Sequence, residues 1–280
     1  MFVGQTICPV IYGELKYCGD EDENKINPEP YLKKMNCKNC GHKINGKFCS
    51  NCGQNSKVGS INLATVLNEL SEGVFQINKG FFYTLSSLST RPGKSLKEFL
   101  DGKRKDHFKP IAYVLTLSTL YFLITQVTNQ NTWIADVITG WMNGAAEQNS
   151  EAGIPKIASW FAKNYAYATL ILLPLFSFAS YLSFYKFGKN YLEHIVINSY
   201  ITGHQAILYS LFAIGATIID GDLMEWLSLL AAISYTFWVF WQFFSAGNRM
   251  INILRSTMTY ILYLIFSLGF LLVLMGINEL

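Results

Sequence analysis

Charge is what this chain lacks over most of its length. Beyond Pro110 the long apolar runs are almost free of it, and the last, Ile261 to Ile277, has none. A soluble helical bundle carries charge on its outer faces, so such runs exclude one and point to burial in lipid. Also missing are a Gly-rich phosphate loop, a nucleophile elbow, an H-E-x-x-H motif and paired aspartates within the apolar runs. The common motif-bearing enzyme classes are disfavoured by those absences, and no catalytic residue is assigned. Residues 1–30 contain Glu14, Asp20, Glu21, Asp22 and Glu23 and have no apolar run before a small-residue cleavage site, so no signal peptide is expected. Thiols in this part would then be cytoplasmic, reduced and open to a metal rather than paired as disulfides.

What is present divides sharply. Hydrophobic residues make up 51% of the 280 and mean hydropathy is +0.23, yet residues 1–110 hold 16 of the 22 Lys and Arg and all six Cys. Residues 1–34, with Pro28, Pro30 and the acidic run, read as disordered or as an extension ahead of Met35; Cys8 and Cys18 there read as free thiols. Residues 35–55 are expected to form a zinc ribbon and 56–110 an amphipathic and basic juxtamembrane region. Residues 111–280 are then the transmembrane domain.

The strongest chemical signal is Cys37, Cys40, Cys49 and Cys52, two C-x2-C pairs each followed by glycine. Four thiolates complete the closed tetrahedral shell of a structural zinc ion, Zn2+, with an iron site or a thiol redox pair ranking below it. Gly41 and Gly53 would let the chain turn tightly enough for backbone N–H groups to face the sulfurs. A module this short cannot bury enough apolar surface to fold alone, so metal binding should drive its folding. His42 is not needed for the shell.

Apolar residues stepping by three or four from Val66 to Leu88 predict an amphipathic helix from about Asn62, interrupted near Gly73 or Gly80. Arg91-Pro92-Gly93 should break it, with a short helix over Lys94 to Leu100 ending at Gly102. Five apolar stretches follow, at roughly 111–128, 165–185, 194–219, 223–244 and 257–277, each near the 20 or so residues that cross a bilayer core. The fold class expected is thus all-α integral membrane protein, with about five transmembrane helices, a small N-terminal cytoplasmic zinc ribbon and an amphipathic interfacial helix. Five crossings place 20 of 22 basic residues on one side, which puts the N-terminus in the cytoplasm and the C-terminus outside. Trp160, Tyr165, Tyr185, Trp226, Trp238 and Trp241 lie near span ends, as interfacial aromatic belts do. In the loop at 129–164, Trp133, Val137, Ile138, Trp141 and Met142 share a helical face suited to the outer membrane surface.

Within the third stretch, Glu193, His194, Asn198, His204 and Gln205 are out of character for lipid. At 100° per residue, His194, Asn198 and Gln205 fall within about 40° of one another. Such groups either line a proton or substrate route or hydrogen-bond neighbouring helices, and the second reading is preferred, with Glu193 and His194 wet at the interface. Pro174 predicts a kink in the second stretch. The basic cluster Lys103, Arg104, Lys105 and Lys109 suits anionic headgroups at the membrane surface. With no aromatic stacking platform beside it, nucleic acid is not an expected partner.

These residues carry a resemblance. The ribbon Cys37 to Gln54, then Arg91-Pro92-Gly93-Lys94, Gly102-Lys103-Arg104 with Pro110, Tyr191-Leu192-Glu193-His194 and Tyr200-Ile201-Thr202-Gly203-His204-Gln205 resemble an uncharacterised bacterial family, domain-of-unknown-function family 3667. The resemblance implies a zinc ribbon ahead of a polytopic region in a bacterial inner membrane, from Met35 onward, and no activity. Function then narrows to a membrane-anchored interaction or scaffold protein whose ribbon docks a cytoplasmic partner. The alternative is a small transporter or channel subunit, acting as a homo-oligomer, with a polar path along the third span. A lipid-modifying enzyme using Glu193 and His194 as acid and base ranks below both.

Overall fold

The computed structural model describes residues 35–63, 65, 79–146 and 156–278. The expectations for residues 1–34, and for the amphipathic helix over 66–78, lie outside the described residues.

The cysteine module has two short antiparallel strands, β1 (Met35–Asn36) and β2 (Lys43–Ile44), with Met35 opposite Ile44. Phe48 bridges to Asn55 in a second arm. Its buried cluster is only Cys37, Ile44 and Cys49, with Cys52 against them. That is far too little apolar burial to hold a fold without another tie.

Helix α1 (Lys79–Thr90) is followed after Arg91 by α2 (Pro92–Asp101). The break falls where expected, but Pro92 and Gly93 belong to the second helix, because proline at the first helical position loses no hydrogen bond. Gly102 ends α2 in the left-handed region, φ +112°. Pro110 likewise opens α3 (Pro110–Thr128). After it come α4 (Trp133–Ala146), α5 (Lys156–Lys163), α6 (Tyr165–Ser183), a 3-10 turn at Tyr185–Phe187, α7 (Tyr191–Gly215), α8 (Gly221–Phe243) and α9 (Arg249–Asn278).

Four helices, α3, α6, α8 and α9, are long and apolar enough to cross a membrane. The third expected stretch, α7, is not among them. Its 25 residues span about 38 Å, more than a bilayer core, but its polar residues lower its hydropathy. The reason is its position: α7 packs against α3, α6 and α8, so neighbouring helices are there to meet its polar groups. Helix α9 is the opposite case, leaving Leu254, Ile261, Leu264, Ile265 and Leu272 exposed along its length.

Several stretch limits move for local reasons. Helix α7 starts at Tyr191, not 194, because Asn190 and Glu193 form a reciprocal capping box, with bonds of 2.8 and 2.9 Å. It ends at Gly215, and Asp220 caps α8 by accepting from the N–H groups of Asp222 and Leu223. Helix α9 begins at Arg249, eight residues before the apolar run, because Asn252, Arg255 and Ser256 satisfy their polar groups locally.

The core is aromatic. Tyr113, Tyr200, Phe184, Phe240 and Phe244 are almost fully buried, and Phe184 stacks on Phe244 at 4.1 Å between centroids. Tyr165, expected in an interfacial belt, is 2% exposed and joins this core, where the Trp133 indole N–H donates to its hydroxyl at 2.8 Å. That bond also draws Trp133 inward, so α4 shows the core only part of the face assigned to the membrane surface, while Val137 remains exposed.

Candidate metal centre and buried polar groups

Cys37, Cys40, Cys49 and Cys52 converge with all four sulfurs within 4.8 Å of one another. Two equivalent turns achieve this. In each, the glycine N–H donates to the carbonyl of the first cysteine (Gly41 to Cys37, Gly53 to Cys49, both 2.8 Å), and the first cysteine's N–H donates to a residue beyond (His42, Gln54). The turns require φ of +76° at Gly41 and +73° at Gly53, which a side chain would strain.

The Cys37–Cys52 and Cys40–Cys49 sulfur separations are both 3.6 Å. A tetrahedral thiolate shell with metal–sulfur bonds of about 2.3 Å has edges of about 3.8 Å, so these residues fit a metal ion with little adjustment. Hydrogen bonds from the His42 backbone and the Asn51 side chain hold the Cys40 thiol down to about 6, whereas burial pushes Cys52 up to about 12. Four thiols this close cannot all ionise without a cation among them, and a bound cation would displace the remaining protons. His42 is exposed, and its side chain is absent from the cluster.

The module is clamped to the turn between α2 and α3, and the clamp is a residue to which the sequence reading gave no role. Gln54 is buried and donates to the Gly102 carbonyl at 2.9 Å. Its own carbonyl oxygen accepts from the N–H groups of Arg104 and Lys105 at 3.0 and 3.1 Å. Asn39 adds a bond to Asp106 and Lys38 one to Val58. A glutamine directly after the second C-x2-C-Gly was the available signal.

This clamp divides the expected basic cluster. Arg104 turns inward, donating to the Gly59 carbonyl at 2.8 Å and lying over the Phe99 ring. Lys103 is 3.5 Å from Glu98, Lys105 is exposed and Lys109 half-buried.

The polar residues of α7 do not form one continuous line of open groups. His194 and Asn198 are both 0% exposed and share one partner, Ser180 of α6: His194 Nδ1 lies 2.9 Å from its hydroxyl and the Asn198 amide donates to it at 2.7 Å. Gln205 instead donates to Thr236 and to the Ala232 carbonyl in α8, and Tyr260 of α9 donates to Thr236. His204 lies off the stripe, bonded to Tyr113 of α3 at 3.1 Å and stacked on Tyr235. The expectation that Glu193 and His194 are wet is corrected for His194, which packs between the rings of Tyr181 and Phe244. Glu193 serves in the capping box, so the two side chains have no shared surface for acid–base chemistry. His194 Nε2 and Asn198 Oδ1 are buried with no hydrogen-bond partner. In α6 the carbonyl of Pro174 accepts from the Tyr191 hydroxyl at 3.1 Å.

No curated protein and no solved structure matches the chain. The segment of α1, α2 and most of α3, with Arg91-Pro92-Gly93-Lys94, Gly102-Lys103-Arg104 and Pro110, agrees with the resemblance already drawn: residues 78–122 match the model of the family described as protein of unknown function (DUF3667).

Proposed function

We propose that this is a multi-pass inner-membrane protein of a bacterium, with its N-terminus in the cytoplasm, that acts as a membrane-anchored interaction or scaffold protein. In this reading α7 crosses with the four apolar helices, the C-terminus lies outside, and the four cysteines hold one zinc ion. The ribbon then docks a cytoplasmic protein. The supporting observation is its placement: the one metal-type cluster among the described residues lies outside the apolar helices, tied to the turn before α3 through Gln54, and Phe48 on its second arm is 62% exposed. A rigidly held module with a bare aromatic ring suits recognition better than chemistry.

The test is a photo-crosslinking residue at position 48 of the full-length protein in its membrane. The expected outcome is a discrete protein adduct that disappears when Cys37 and Cys40 are both replaced by Ser, while the spans still insert. No adduct, or one unchanged by the double replacement, overturns the reading.

A second reading, a small transporter or channel subunit working as an oligomer, is supported by the unpartnered His194 Nε2 and Asn198 Oδ1. It requires flux in proteoliposomes that falls on His194→Ala or Gln205→Ala. The helix-to-helix bonds of Gln205 and His204 weigh against it.

A further inference from the structure

Cations from two distant parts of the sequence meet at one end of the bundle. Lys94 and Lys97 of α2, Arg249 at the start of α9, and Trp241, Gln242 and Ser245 at the end of α8 line one open groove of about 380 Å³. Close backbone contact makes the juxtaposition. Gly93 lies against Gln242 and Phe243 so tightly that a Cβ would come within 2.6 Å of their main chain, and its N–H donates to the Gln242 side chain at 3.1 Å. Two of the cations are held in place: Lys97 donates to Ser245 at 2.9 Å, and the Arg249 guanidinium lies 5.4 Å over the Trp241 ring. No carboxylate lines the groove, and among the described residues none is within ion-pair distance of these three cations.

The level of the groove identifies its occupant. Helices α8 and α9 are both apolar enough to cross a membrane, so the turn joining them, 244–248, lies at a bilayer surface. Trp241 lies in the last turn of α8, the depth at which indole rings lie among headgroups. Directly below Arg249, Met250 and Leu254 are exposed apolar residues that start the lipid-facing side of α9. A ligand here meets three positive charges at one end and a hydrocarbon-facing helix at the other.

We infer that this groove is a binding site for one anionic phospholipid, with the phosphate and headgroup among Lys94, Lys97 and Arg249 and the acyl chains along α9. Gln242 and Ser245 supply hydrogen-bonding groups for headgroup oxygens, and Trp241 packs at the glycerol level. The site is separate from the basic segment Lys103 to Lys109, whose Arg104 is already engaged in holding the ribbon.

The test uses the delipidated full-length protein in detergent, titrated with phosphatidylglycerol or phosphatidylcholine and read by native mass spectrometry. Wild type should retain one phosphatidylglycerol in clear preference to phosphatidylcholine. In the variant with Lys94→Gln, Lys97→Gln and Arg249→Gln, affinity should fall about fivefold per cation, on the order of a hundredfold in all. Lys103→Gln with Lys105→Gln should leave the preference intact. All are surface changes, and an unaltered helical circular dichroism spectrum verifies folding. As a second readout, phosphatidylglycerol with brominated acyl chains should quench wild-type fluorescence more than that of Trp241→Phe. Equal retention of the two lipids, an equal loss in the Lys103/Lys105 variant, or full displacement by millimolar inorganic phosphate overturns the assignment. The last outcome would make the site one for free phosphate.

Discussion

Gln54, the residue after the second C-x2-C-Gly, donates to the carbonyl of Gly102, the residue that ends α2, at 2.9 Å. One side chain thus joins the cysteine module to the turn that leads into the first long apolar helix, and it does so at both ends, because its oxygen also receives the Arg104 and Lys105 N–H groups. Replacing Gln54 with Leu keeps the volume but removes its side-chain hydrogen bonds to three main-chain groups. Each buried unmade bond costs about 1–3 kcal/mol, less whatever water recovers. The amides of Arg104 and Lys105 should exchange hydrogen on the order of ten to a hundred times faster in Gln54→Leu, while metal content is unchanged. Unaltered exchange at those two amides would show that the clamp is incidental.

If the ion is zinc, one equivalent per chain should be found by elemental analysis of the purified protein, and Cys37→Ser with Cys40→Ser should reduce it to background. Chelation should expose residues 35–55 to protease, since their own buried cluster is three residues, but should not change the helical signal of α3 to α9. Acidification should release the ion, because protons compete for the thiolates. Stoichiometric iron, or a ribbon that resists protease after chelation, contradicts the prediction.

These two features show what could be read from residues and what could not. The cysteine cluster was legible because its chemistry is local: spacing and two glycines determine the turns. The break at Pro92, the helix end at Gly102 and the start at Pro110 were legible for the same reason. Gln54 was not, because its partners lie about 50 residues away and a glutamine fits many surroundings. His194 was misplaced because helical periodicity gives a side chain's direction but not its neighbour, and only the packing of α6 and α8 puts Ser180 and Phe244 around it. The groove of Lys94, Lys97 and Arg249 was hidden likewise, since nothing local links α2 to a turn some 150 residues later.

His107, just ahead of α3, gives a pH dependence with a definite sign. It is buried, and its Nε2 lies 3.1 Å from the Ser95 hydroxyl, which in turn bonds Ser87. Burial pulls the ring below the ordinary histidine value, with the Lys103 backbone, Glu98 and Asp106 acting the other way. The unfolded chain therefore binds a proton, near pH 6.5, that the folded chain refuses. The contribution is constant above about pH 6.5 and is lost as pH falls below it. Unfolding midpoints in detergent between pH 8 and pH 5 should decline over that lower range, with a smaller decline in His107→Gln. Equal slopes in the two proteins would exclude His107 as the cause.

Gly93 tests the crossing of α2 and α8. A methyl group there meets main chain rather than a movable side-chain end, so the helices must part. Gly93→Val should cost about 1–3 kcal/mol, the usual range for overpacking. It should also break the bond to Gln242 and weaken retention of phosphatidylglycerol, although no cation has been removed. Gly59→Val, where a Cβ meets nothing within 4 Å, is the matched control and should change neither property. Equal thermal stability of the two variants would mean that the contact yields more easily than its main-chain composition implies.

Ser180 separates the two uses of the polar stripe. Its hydroxyl is the shared partner of His194 Nδ1 and the Asn198 amide, so Ser180→Ala leaves two buried groups unpaired between α6 and α7. If these groups serve to join helices, the variant loses about 1–3 kcal/mol of stability. A double-mutant cycle with Asn198→Leu should then show coupling on the order of 0.5–3 kcal/mol, because Asn198 no longer has a serine to lose. Reconstituted vesicles should be equally tight with either protein. If the groups form a route, Ser180→Ala should change flux at temperatures where the protein is fully folded, because it reorients His194 on the side where Nε2 has no partner. Measuring melting and flux on the same preparation decides between them. The packing around His194, closed by Tyr181 and Phe244, predicts the first outcome.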